Sequence, residues 1–142
     1  MANVIPFAFR GELFSGTHNF SSGGNQFKIA LYTANPYTTS STVYDTTSEV
    51  SSGGGSNYTA GGEVLGSQAV AASTAVASVD FADATWSSAT FTAAFAAIYN
   101  DTNSDKLCVV LDFGGNKTAT NGTFKITFPD PATPANAIIS MA

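Results

Sequence analysis

The chain has 142 residues, 44% hydrophobic and 12% aromatic, which is enough to form one continuous core and excludes a disordered polypeptide. Only 11% are charged, against about 25% in ordinary globular proteins, and Ser, Thr, Asn and Gly fill the gap with a polar but largely neutral exterior. The net charge is −5 and the five cations (Arg10, Lys28, Lys106, Lys117, Lys125) form no run, so nucleic acid is not expected as a partner: displacing phosphate counterions takes clustered Lys and Arg.

The first residues carry no basic segment, and Pro6 interrupts their apolar stretch, so they are not expected to form a signal peptide. They are expected to form an N-terminal arm of about residues 1–10. Residues 7–15 place Phe7, Arg10, Leu13 and Phe14 at i, i+3, i+6 and i+7 before Gly16, the pattern of a short helix with a glycine at its C-terminal end. Strands follow where apolar residues recur with period two. Phe27, Ile29 and Leu31 share one face. A weaker strand is expected at 42–50, then a turn at 51–57 with three glycines and another at Gly61-Gly62. Strands are expected at 63–70 and 75–81, then at 91–99 with Phe91, Ala93, Phe95, Ala97 and Tyr99 together, and at 107–113 with Leu107, Val109, Leu111 and Phe113 together. Turns at 100–105 and 114–122 flank that last strand, and 124–128 and 137–141 complete the set.

Seven or eight strands joined by short turns pair antiparallel, because parallel pairs need long crossovers. The expected fold is all-β: an antiparallel β-sandwich or jelly roll with one short N-terminal helix, forming one domain over residues 1–142. No apolar run approaches the length of a membrane span, so no membrane association is expected.

Residues capable of chemistry are few and scattered. Cys108 is the only cysteine; it lies in the apolar run 107–111 and is expected to be a small buried hydrophobe. His18 is the only histidine, no Gly-x-Ser-x-Gly pattern accompanies it, and a packing or capping role is expected. Asp80 and Asp83 near Trp86 look superficially like a sugar-binding groove; a loop bonding its own amides is the plainer reading. Asp101, Asn103 and Asp105 begin like a calcium loop, but Lys106 stands where that loop needs glycine, so a hairpin turn is expected. No enzyme activity, metal or cofactor is expected.

Certain words of the sequence occur in an ordered series: Phe27-Lys-Ile-Ala-Leu-Tyr32, Tyr58-Thr-Ala-Gly-Gly62, Val79-Asp-Phe-Ala-Asp83 with Trp86, Ala97-Ile98-Tyr99-Asn100-Asp101, Leu111-Asp-Phe-Gly114 and Gly122-Thr-Phe124. Over roughly residues 12–140 this series resembles small virion proteins of tailed bacteriophages, of the capsid decoration (cement) type. The resemblance implies a subunit made in the host cytoplasm that binds the outside of an assembled head and stabilises it. Its partners would be the major capsid protein and copies of itself, as a homodimer or homotrimer. It carries no catalytic motif to transfer. Composition points to contact surfaces at Val4, Ile5, Phe7 and Phe9, at Tyr44 and Tyr58, and at Ile138 and Ile139. Two other assignments fit the same residues: a tail- or fibre-associated virion protein, or a carbohydrate-binding module using Trp86, Tyr37, Tyr44 or Tyr58 as a platform.

Overall fold

Residues 3–73, 75–129, 133 and 137–141 are described by a computed structural model. In chain order it contains a helix, α1 (Phe7–Phe14), and seven strands: β1 (Phe27–Tyr32), β2 (Glu63–Val64), β3 (Ala69–Ala72), β4 (Ala77–Asp80), β5 (Ala84–Asn100), β6 (Lys106–Ile126) and β7 (Ile139–Met141). They form two antiparallel sheets, a four-stranded one in the order β2-β1-β5-β6 and a three-stranded one in the order β3-β4-β7. The protein is thus mostly β, in the manner of a two-sheet sandwich. The eight strands and two Greek keys of a jelly roll do not follow from this order.

The large sheet is covered on both faces. Phe27, Ile29 and Leu31 of β1 enter the main core with Trp86, Phe91, Val109 and Phe124, where Val79 and Ile139 of the small sheet meet them. The opposite face of β1, with Ala30 and Tyr32, enters a second core with Tyr37, Ala97, Tyr99, Leu107 and Val110. Residues 33–62 form the layer over that second face, although they contribute no named strand. The expected strand at 42–50 is reduced to isolated bridges, Val43 to Lys106 and Glu49 to Tyr32.

Three other expectations change. The strand expected at 63–70 is two strands in different sheets, because the chain turns between them with Ser67 at φ 51°. The turn expected at 114–122 lies inside β6, where Gly114 and Gly115 (φ 71° and 136°) belong to a bulge opposite Ala94 and the chain continues along β5. Face assignments fail where the register shifts. Ile98 pairs with Val109 but Tyr99 pairs with Leu107, so Cys108 is an extra residue that sends Leu107 into the second core while Val109 stays in the main one. Across the shift between Ala93 and Phe95, Phe91 and Ala93 face the main core while Phe95, Ala97 and Tyr99 face the second.

Residues 3–10 are tied to the large sheet and the layer over it. Val4 exchanges two backbone hydrogen bonds with Val110, and the Phe7 amide donates to Thr39. Helix α1 then buries Phe9 and rests Leu13 on the core, while Phe7 and Phe14 are 59% and 93% exposed.

Gly62 is where the first layer closes on the second. Its φ is +78°, and a Cβ there would fall 1.9 Å from the Ile29 carbonyl oxygen. Gly62→Ala therefore combines a left-handed backbone with a collision inside the β1–β2 pair, and is expected to cost about 3 kcal/mol or more. Gly53→Ala, also at positive φ but with nothing within 4 Å, is expected to cost about 1–2 kcal/mol. Urea unfolding midpoints of the two variants check the difference.

Candidate functional site

Two polar clusters stand out. The first joins α1 to the turn of the β5–β6 hairpin. The His18 side chain is wholly buried among the rings of Phe9, Phe20 and Phe27. Its Nε2 faces Glu12 Oε2 at 2.9 Å, and its Nδ1 faces Asn100 Nδ2 at 3.0 Å. A carboxylate only accepts and an amide nitrogen only donates, so the ring is neutral with its proton on Nε2. Asn100 is fixed in that orientation because its carbonyl oxygen accepts from the Asn103 amide at 3.1 Å. The other oxygen of Glu12 pairs with Lys106.

Cys108 Sγ lies 3.8 Å from His18 Nδ1, which brings a thiol, an imidazole and an asparagine amide together. The arrangement differs from a Cys-His-Asn nucleophile in two ways. The amide and the thiol crowd the same ring nitrogen, whereas an orienting group belongs on the far one, which here holds Glu12. Cys108 is also fully buried, and burial pushes its pKa far up, so the reactive thiolate is suppressed. Burial likewise pulls the His18 pKa down, against the opposing pull of Glu12. For Glu12, burial alone would raise the pKa, but hydrogen bonds from Lys106 and His18 hold it below the ordinary value.

The second cluster gathers all five tyrosines of the chain, Tyr32, Tyr37, Tyr44, Tyr58 and Tyr99. Glu49 is its centre. Tyr58 and the Gly61 amide each donate to Oε1 at 2.7 Å, and Tyr44 donates to Oε2 at 2.6 Å. Tyr58 also accepts from the Leu31 amide at 3.0 Å, so the carboxylate is tied to β1 through one hydroxyl. Tyr99 donates to the Gly61 carbonyl at 2.6 Å, and Tyr44 stacks on its ring at 4.6 Å. Tyr32 and Tyr37 share a 2.6 Å hydrogen bond beside the Asp45 carbonyl, to which Tyr32 donates at 2.8 Å. Burial raises the pKa of each of these phenols, and all five remain neutral donors. Sequence reasoning missed this cluster: four of the tyrosines and Glu49 lie within 27 residues, but no periodicity links them.

Of the four sugar-platform aromatics, Trp86, Tyr37 and Tyr58 are buried and Tyr44 is half-buried. Trp86 is 2% exposed and ringed by Tyr58, Phe91 and Phe124, while Tyr37 and Tyr58 belong to the buried cores. Asp83 pairs with Lys125 at 2.8 Å and accepts from the Phe128 amide. In the 100–105 turn, Asp101 pairs with Lys28 at 2.9 Å and accepts from Gln26, and the Asn103 side chain is bonded to Thr17. No group of three or more metal-ligating side chains occurs among the described residues.

Of the contact residues expected from composition, Phe9, Tyr58 and Ile139 are core residues. Val4, Ile5, Tyr44 and Ile138 are half-buried against the cores, and Phe7 alone is well exposed. The large apolar side chains that do reach solvent include Phe14, Val43, Val64, Val70 and Met141. No protein-family model, curated protein or solved structure matches the chain.

Removing the Glu49 carboxylate leaves two hydroxyls and one amide without their acceptor. Glu49→Ala is expected to cost about 3–5 kcal/mol and Glu49→Gln less, as it keeps one oxygen, whereas exposed Glu63→Gln should stay within about 0.5 kcal/mol. Denaturant unfolding orders the three. The first cluster sets an acid response. His18 has a lowered folded pKa, so the unfolded chain binds more protons: its contribution is fully present above the ordinary pKa of 6.5 and is lost as the pH falls below it. Glu12 adds a loss in the same direction below 4.5. Unfolding midpoints measured from about pH 7.5 to about pH 3.5, about one unit either side of the two ordinary values, should therefore fall with acid, with the upper part of that fall flattened in His18→Gln.

Proposed function

We propose that this chain is a capsid decoration subunit, which binds the outside of an assembled bacteriophage head and stabilises it by adhesion. The observation that carries the reading is the internal use of its reactive side chains: Cys108, His18 and Trp86 are enclosed, and Glu12 and Glu49 are engaged in holding layers together. What remains outside is neutral, polar surface with isolated large apolar side chains, a composition suited to contact. The ordered series of sequence words from Phe27 to Phe124 supports the same class.

The mechanism is mass action. A subunit that binds only the assembled shell, across the junctions between its subunits, lowers the free energy of that state by an amount set by its concentration relative to its dissociation constant. The partners are the major capsid protein and further copies of this chain.

The test is co-sedimentation of the purified chain with empty expanded heads, followed by heating of the decorated and bare particles. Saturable binding at micromolar concentration and a higher disruption temperature are expected. Absence of binding, or gold labels confined to tails in intact particles, would refute the proposal.

A further inference from the structure

Residues 17–25 form no helix or strand, and a buried amide ties them to the β5–β6 turn. Asn100 Nδ2 donates to His18 Nδ1 at 3.0 Å, to Asn25 Oδ1 at 3.1 Å and, more weakly, to the Thr17 carbonyl at 3.5 Å. Its own oxygen accepts from the Asn103 amide. This arrangement fits only a neutral imidazole, because a protonated ring carries N–H on both nitrogens. The added Nδ1–H would meet the Asn100 amide hydrogens, donor against donor, with the Cys108 sulfur, a weak acceptor 3.8 Å away, as the alternative. Turning the Asn100 amide over gives no relief. Its oxygen would then meet Nδ1, but its NH2 would face the Asn103 amide, and Asn25 and Thr17 would lose this donor.

Charge adds to the misfit. The charged and titratable groups that face His18 are Glu12 from α1 and Lys106 and Cys108 from β6; the other elements around it present Phe9, Phe20, Phe27 and Asn100. Glu12 is already paired with Lys106, so a proton on the ring adds a buried charge that the cluster does not balance. We propose that the contact between His18 and Asn100 is an acid-sensitive latch, in which one proton on the ring frees residues 17–25 from the β5–β6 turn while the two sheets stay closed. The ladders joining β1, β5 and β6 use none of these side-chain bonds. Burial pulls the His18 pKa down, as it must in a site built for the neutral ring. Leu13, His18 and Phe20 line an apolar groove of about 250 Å³ together with Val79 and Ile139 of the small sheet, so freeing the segment widens that groove.

Native-state hydrogen exchange of the intact chain at about pH 7.5 and about pH 5.5 tests this with no shell present, independently of head binding. Glu12, held below its ordinary value of 4.5, stays ionised across that window, so the response belongs to His18. The amides of Asn19, Asn25 and Asn103, which bond to Asn25, Asn19 and Asn100, should be less protected than those of Ile98 and Val109 at both values. Their protection factors should fall about three- to tenfold from the higher pH to the lower, as expected when a group of ordinary pKa about 6.5 must be neutral in the closed state. His18→Gln should remove the fall. Asn100→Asp offers a carboxylate oxygen to a protonated Nδ1 and raises the closed-state pKa above the open one, so acid then favours closure and the trend should reverse. Wild-type protection at the three amides that does not change with pH would overturn the proposal, and this result needs no variant to fold. So would protection equal to that of Ile98 and Val109, which means the whole fold opens together, or a fall that persists in His18→Gln.

Discussion

The structure depends on a single carboxylate placed between two layers. The large sheet has apolar residues on both faces, and the small sheet covers only one of them. The other is covered by residues 33–62, whose backbone meets the sheet only through isolated bridges and single hydrogen bonds such as Val50 to Leu31. Glu49 adds to these: it receives two tyrosine hydroxyls and the Gly61 amide, and one of those hydroxyls reaches the Leu31 amide of β1. Hydrogen bonds to an ionised acceptor are about twice as strong as neutral ones. Each tyrosine also buries a ring, so polar satisfaction and apolar burial are supplied by the same residues.

The contact between α1 and the hairpin repeats this logic with different residues. His18 and Asn100 are buried polar groups that would be costly if unpaired, and each has its partners. Glu12, His18 and Cys108 are thus members of the structure, and none of them is free to turn outward. Moving any of them to serve a substrate would open the core.

Much of the fold was legible in the sequence. The period-two pattern of Phe27, Ile29 and Leu31 located β1 and its inward face, and Asn100 to Asp105 marked the turn of the main hairpin. The short helix at residue 7 was visible in the spacing of its apolar residues, but not its orientation: Phe7, Leu13 and Phe14 fit an inward stripe as well as Phe9 and Leu13 do, and only tertiary packing decides between them. Faces along β5 and β6 were misread at Cys108 and Ala94 because one extra residue on a strand inverts every later assignment. Glycines at 114 and 115 carried a turn signal that the structure uses for a bulge. The Glu49 cluster left no trace in the pattern, because its members converge from a loop and two strands.

Native-state amide hydrogen exchange tests most directly whether residues 33–62 are a structural layer of the protein. The amides of Thr33, Val50 and Gly61, which bond to Ser48, Leu31 and Glu49, should exchange as slowly as those of Ile98 and Val109 in the central hairpin. Rapid exchange at those three amides while β5 and β6 stay protected would contradict the account.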